Sequence, residues 1–432
     1  MPITILTTLS ILLLAAHNLR FGETGIAMAL LLFTALVWTR RDWLRITSIA
    51  VLSWGLFTWT RTLITLLQFR IAADLPWIRL CLILGTVMGI TVLCILGLTS
   101  QKTRAFFNRG RDHAQPQAFT ALLTAGFLFF IRETASMTML LADRFIPGSG
   151  PVEIIALTVY ASWVCGHLLN PKTQAGTRRR VWLLFSIVFF GQFFLGIAGI
   201  DQCLMTGILH LPVPALIVAG PLFRGEGFFM PILFASTLLL VGPAWCSHLC
   251  YIGAWDNTMA IKTRPGDIPI WAPVLRWSIL FFVVLTALGL RLLHVPTLTA
   301  VIMAGMFGLA GIGVMVFISR KRGRMVHCTV FCPIGILSNY LGKIAPWRIR
   351  ISSACTGCTA CLPTCRYNAL DMKALRRGKP HITCTLCGDC VSACKHGALT
   401  YTAPFMTSDM ARTVFLVIVT TLHTVFMAVA RI

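Results

Sequence analysis

The chain has 432 residues, 57% hydrophobic and 12% charged, with a mean hydropathy of +0.81. No soluble domain of this size carries such a composition on its surface, so the bulk of the chain belongs in lipid. The net charge of +23 is then read as charge at membrane surfaces, and nucleic acid is not an expected partner.

Apolar runs near the roughly 20 residues that cross a bilayer predict eleven spans. Six of them, at 3–19, 24–39, 44–60, 77–99, 118–142 and 151–170, make an N-terminal membrane region over 1–175. Four more, at 181–200, 228–245, 275–294 and 297–318, make a second region over 176–345. A polar insert over 346–405 follows, and a last span at 412–430 lies in the terminal stretch 406–432. The expected fold is an all-α polytopic membrane protein with a small α+β module inserted before its last helix. No Lys or Arg precedes the first apolar run, which reads as an anchor rather than a cleaved signal.

Alternate loops differ in charge. One set carries fourteen Lys and Arg, among them Arg40, Arg41, Arg45, Lys102, Arg178, Arg179, Arg180 and Arg276; the other carries seven. Positive residues accumulate on the cytoplasmic side. The amino terminus and the insert, entered through Arg320-Lys321-Arg322, are expected there, with the carboxy terminus outside. The localisation this implies is a bacterial inner membrane, with the far side periplasmic.

Several polar residues fall within or beside the spans. Arg132 and Glu133 are adjacent and point apart on a helix, so each calls for its own partner or an interfacial position. Arg61, Arg70 and Arg79 gather on the outer side, facing lipid headgroups or an anionic partner. The stretch Asp201 to Gly227, broken by Pro212, Pro214 and Pro221, reads as a re-entrant or interfacial element. His210 within it is a candidate proton acceptor for a quinol, or a plain interfacial histidine. A bis-histidine haem is not expected, since His17 and His167 fall near opposite faces and His423 on a third helix.

Of the sixteen cysteines, Cys81, Cys94 and Cys165 sit in apolar runs as packing residues, and Cys203 stands alone outside. Four others form a repeat about eighty residues apart, Cys246-Ser-His-Leu-Cys250-Tyr-Ile-Gly253 and Cys328-Thr-Val-Phe-Cys332-Pro-Ile-Gly335. If each pair continues a helix, its two thiols share a face, and two hairpins side by side present four thiols at the membrane surface. Pro333 and Gly335 are expected to end the second helix. A redox relay, a bound metal or cluster, and helix-end packing all fit such a set.

The remaining eight cysteines form two C-x2-C-x2-C-x3-C runs in the insert, Cys355, Cys358, Cys361, Cys365 and Cys384, Cys387, Cys390, Cys394. This is the bacterial ferredoxin spacing for two [4Fe–4S] clusters, in which the fourth thiolate of each run crosses to the other cluster. Cluster one is expected on Cys355, Cys358, Cys361 and Cys394, and cluster two on Cys384, Cys387, Cys390 and Cys365. Arg366 and Lys395 stand where proline commonly follows the fourth cysteine. From Lys343 to Lys395 nine Lys and Arg oppose Asp371 and Asp389, a surface that favours anionic lipid and acidic redox partners such as flavodoxins or soluble ferredoxins.

Residues 181 to about 401 resemble the polyferredoxin membrane proteins of the NapH, NosR and CcoG type. The likeness rests on four spans, a C-x3-C pair after the second and fourth, and two cluster motifs following on one side. Tyr251 departs from it, standing where a proline follows the second cysteine of each pair. The resemblance implies membrane electron transfer in a respiratory pathway, with quinol as the usual donor and a periplasmic reductase system among the recipients. It equally admits an assembly role, reducing a metal or thiol for another metalloenzyme. No nucleophile–base pair, phosphate loop or dinucleotide fingerprint marks a stand-alone enzyme.

Overall fold

The computed structural model describes residues 2–204 and 211–429, so the expectation placed on His210 lies outside the described residues. Among those described, ten helices are long and apolar enough to cross a membrane. The predicted span at 24–39 is instead the 14-residue helix Thr24–Val37. At 1.5 Å per residue it reaches about 21 Å, short of the roughly 30 Å hydrocarbon core. The chain forms two compact units, Met1–Gly166 and His167–Ile432.

In the first unit the span predicted at 44–60 extends over Asp42–Ala72, 31 residues, because nothing in Thr60–Arg70 breaks a helix. Its start is fixed by a buried pair: Arg45 Nε donates to Asp42 Oδ1 at 2.5 Å, and Arg45 Nη1 to the carbonyl of Leu98, at the end of the helix Ile78–Thr99. The span predicted at 118–142 ends earlier, at Thr134. There Arg132 answers both of its neighbours, with Nε on Asp143 Oδ2 and Nη1 on Glu133 Oε1, each at 2.7 Å. Adjacent residues do pair here, against the expectation, because the helix end lets the long arginine bend back. Gly150 N and Ala142 N then donate to Asp143 and Glu153, capping the turn into Gly150–Leu169.

The second unit holds the helices Gln174–Ile197, Phe229–Val241, Ala272–Leu292, Thr297–Gly313 and Ser408–Val429. Between the first two, the short helix Leu216–Arg224 packs along Ala272–Leu292. Val213 just before it meets Gly308, near the middle of the apolar stretch Thr297–Arg322, at 2.7 Å from where a Cβ would sit. The described part of this segment, from 211 on, thus packs against two helices of the bundle, and residues 205–210 lie outside the described residues.

The insert folds on a two-stranded antiparallel sheet, β1 (Arg348–Ile351) and β2 (Leu399–Thr402), with Arg348 opposite Thr402 and Ile351 opposite Leu399. Ile349, Ile351, Leu399 and Tyr401 point inward in strict alternation. The sheet is fastened to the membrane helices on both sides. Trp347 Nε1 donates to Leu240 O at 2.7 Å, and Tyr401 stacks on Phe415 with ring centroids 5.0 Å apart.

Candidate functional site: two cysteine-walled cavities on a four-thiol membrane edge

Each ferredoxin run is a loop that curls tightly enough to turn its thiols inward. The second residue after the first cysteine, the fourth, and the thirteenth are left-handed in both runs. In the first these are Gly357, Thr359 and Asn368, and in the second Leu386, Gly388 and Gly397. Glycine adopts φ > 0 freely, but Thr359 at +62° and Leu386 at +55° do so at roughly 1–2 kcal/mol each. Left-handed backbone at the same three offsets in both loops, kept even where Thr359 and Leu386 replace glycine, marks a clamp around a ligand.

The loops border two cavities. One is lined by Cys355, Cys358, Cys361 and Cys394; the other by Cys365, Cys384, Cys387 and Cys390. Each draws three thiols from one run and the fourth from the other. Within the second cavity burial pushes the Cys384 thiol up to about 12 and raises Cys365, Cys387 and Cys390 as well. Backbone amides draw some of these thiols the other way; Ala369 N–H donates to Cys365 Sγ at 3.3 Å. Buried sulfurs that resist ionisation alone are stable as thiolates only against bound positive charge.

The cavities differ in exposure. At one offset after the fourth cysteine stand Tyr367, buried, and His396, exposed. Cys358 on the first cavity is exposed as well, so that cavity opens to solvent while the second is covered by the membrane hairpins.

The four C-x3-C thiols come together beside that second cavity. Each pair lies on a π turn, Trp245–Leu249 and His327–Phe331, closed by Cys250 N–H to Trp245 O at 3.0 Å and Cys332 N–H to His327 O at 2.8 Å. The helix therefore does not continue through the pair as expected. Cys250 (φ −83°, ψ 116°) and Cys332 (φ −78°, ψ 119°) are extended, and each becomes the N-cap of a new helix, Tyr251–Ala260 and Pro333–Leu341. Pro333 thus starts a helix instead of ending one, since at the first helical position its missing N–H costs nothing. Tyr251 fills the same position without altering the turn and stacks on Phe189, ring centroids 3.9 Å apart.

The Ile-Gly after each pair has a physical reason. Amides of Ile252 and Gly253 point at Cys250, and those of Ile334 and Gly335 at Cys332. A Cβ on Gly253 would lie 2.9 Å from Cys246 O, and one on Gly335 2.2 Å from Cys328 O. The glycines let each new helix start against the carbonyl of the first cysteine.

The repeat extends further than the cysteine pattern shows. Six residues after the second cysteine stand Asp256 and Ser338, each followed by an asparagine, and all four are buried. The two exchange partners: Asp256 Oδ2 accepts Cys328 N–H at 3.0 Å, while Ser338 lies beside the Cys246 thiol. The recurring Asn257 and Asn339 were the sequence signal for this longer unit. Burial pushes the Asp256 carboxyl up to about 6 and holds the Cys250, Cys328 and Cys332 thiols above their ordinary value, Cys250 and Cys328 also feeling other thiols of the set.

Contacts between hairpins and module are direct. Tyr367 Oη donates to Cys246 O at 3.2 Å, and Ser247 Oγ to Thr385 O at 2.9 Å, both residues lining the second cavity. Arg178 Nε and Nη2 grip Asp389 at 3.0 and 2.7 Å. Arg366, the departure from proline, brings Nη1 to the carbonyls of Ala260, Thr263 and Gly323 and so ties the module to both hairpin ends. Lys395 is exposed. Of the histidines weighed for haem, His423 is tied to His248 O through Nδ1, and His17 packs on Trp59 in the other unit.

Comparison with known proteins falls on these hairpins. A family model described as a 4Fe-4S binding domain matches residues 217–263 and 304–352. The chain carries a 4Fe-4S binding domain within a bundle of apolar helices. The two matched segments contain Cys246, Cys250, Cys328 and Cys332 and stop before Cys355. No curated protein and no solved structure matches the chain.

Proposed function

We propose that this is a membrane electron-transfer protein of the NapH, NosR and CcoG type, passing electrons between quinol in the bilayer and a soluble or membrane-bound redox partner. The observation that carries the reading is the seating of Cys246 and Ser247 on Tyr367 and Thr385, which sets the membrane-edge thiols against the wall of the second cavity. Cys355, Cys358, Cys361 and Cys394 would hold one [4Fe–4S] cluster, and Cys365, Cys384, Cys387 and Cys390 the other. Bound there, each cluster supplies a one-electron acceptor and donor. The chain's own residues do the rest. Tyr367, Leu370 and Ile349 exclude water from the inner cavity, while the exposed Cys358 and His396 leave the outer one within reach of a partner. The basic surface around it suits an acidic carrier. Positive-inside bias supports a cytoplasmic module.

The assembly reading needs a reactive thiolate. Three of the four membrane-edge thiols are buried, and burial disfavours the ionised form, which favours a ligand or path role over thiol exchange. A reduced short-chain quinol added anaerobically to the protein in nanodiscs tests the function: bleaching of the cluster absorbance supports it. Bleaching by dithionite alone counts against quinol as the donor.

A further inference from the structure

The four membrane-edge thiols raise a question that the two-cluster reading leaves open, namely what they hold. They come from two repeats in matching conformations, both built on a π turn, an extended capping cysteine and a glycine-started helix. Such a set is a pseudo-symmetric cage with two thiols from each side. Four thiols, two from each hairpin, match the ligand count of a [4Fe–4S] cluster.

A second observation is independent of the cysteines. Arg276 is buried, 6% exposed, at the start of the helix Ala272–Leu292, and its Nε and Nη2 have no hydrogen-bond partner. Its Nη2 lies 3.9 Å from where a Cβ on Gly335 would sit, and its charge acts on Cys246 and Cys332. Ser338, also buried, sits beside the Cys246 thiol. A buried arginine left unpaired is costly, and it is explained by an anionic group in the cage. A tetrathiolate [4Fe–4S] cluster carries net negative charge, whereas a thiol pair resting as a disulfide carries none.

We infer that Cys246, Cys250, Cys328 and Cys332 together ligate a third [4Fe–4S] cluster, with Arg276 as its buried counter-charge. The inference rests on the electron-transfer reading and supplies its membrane-side centre. Amides of Ile252, Gly253, Ile334 and Gly335 directed at Cys250 and Cys332 would steady the reduced state, as hydrogen bonds to cluster sulfurs do.

The test is iron, zinc, copper and acid-labile sulfide per chain in the full-length protein purified anaerobically, with Mössbauer spectra of iron-57-labelled material. About twelve irons and twelve sulfides, all in [4Fe–4S] signatures, are expected. C250S/C332S should lose about four of each and keep both ferredoxin signals. R276Q should keep the cysteines but shift the midpoint potential of one centre to lower values, with R276K restoring much of it. Eight irons in wild type, with or without one zinc or copper, overturns the third cluster and leaves the two-cluster reading standing. Fewer than eight would instead count against that reading itself. The wild-type count decides the matter even if the serine variant fails to fold.

Discussion

Arg178 on the first helix of the second unit holds Asp389 in the second ferredoxin run through two hydrogen bonds, Nε to Oδ1 at 3.0 Å and Nη2 to Oδ2 at 2.7 Å, with the guanidinium 1% exposed. Its third contact, Nη1 to Ser247 O at 3.1 Å, puts hairpin and module on one side chain. Breaking a buried pair by removing one partner costs about 3–5 kcal/mol. R178M is therefore expected to release the module: iron content falls, and protease cuts appear at the module's junctions with the membrane helices. R178K should rescue little, because one ammonium cannot serve two carboxylate oxygens and a carbonyl. Unchanged iron and digestion pattern in R178M would show that the module docks by other contacts.

Gly253 and Gly335 give a sharper test of local geometry. A methyl at either position enters backbone space, 2.9 Å from Cys246 O and 2.2 Å from Cys328 O. G335A should destabilise the protein by more than 2 kcal/mol, read as earlier thermal loss of the cluster absorbance. Gly191, mid-helix with nothing within 4 Å of its Cβ direction, is the control, and G191A should be neutral or stabilising by about 1 kcal/mol. Equal effects from the two substitutions would contradict the close approach.

Tyr367 carries the hydroxyl that joins the second cavity to Cys246. Y367F keeps the ring in place and leaves the Cys246 carbonyl unpaired, a loss of about 1–3 kcal/mol in a buried site. Thermal bleaching should shift down while the iron count stays whole. A variant as stable as wild type would mean that the carbonyl finds another donor.

Topology is open to reporter fusions. A fusion after Ser353 should be active only as a cytoplasmic reporter, as the excess of Lys and Arg on that side requires. A periplasmic-active fusion there would invert the arrangement.

The cysteine spacing and apolar runs made much of this protein legible in its sequence, because both follow from ligand geometry and bilayer thickness and owe little to tertiary context. Thr24–Val37 was misjudged because hydropathy does not show where a helix ends. The π turns were hidden for a related reason: C-x3-C fits an α-helix as well as a wider turn, and the choice is made by the capping of Cys250 and Cys332 and by Gly253 and Gly335 against the carbonyls. Pro333 read as a stop because proline breaks helices more often than it begins them in an apolar run. Arg276 looked like one more positive-inside residue, and only its burial without a partner separates it from the others. Arg366 likewise showed as a missing proline until its three carbonyl contacts came into view.

The central claim is that electrons cross the four membrane-edge thiols on their way between the bilayer and the module, and stopped-flow reduction tests it most directly. C328S and C332S leave all eight ferredoxin cysteines in place, so reduction by dithionite should match wild type at equal ferredoxin cluster content. Reduction by a quinol in nanodiscs should slow at least tenfold, about 1.4 kcal/mol or more of added barrier. Equal quinol rates in wild type and both serine variants would contradict the account and leave these thiols as packing at the ends of two hairpins.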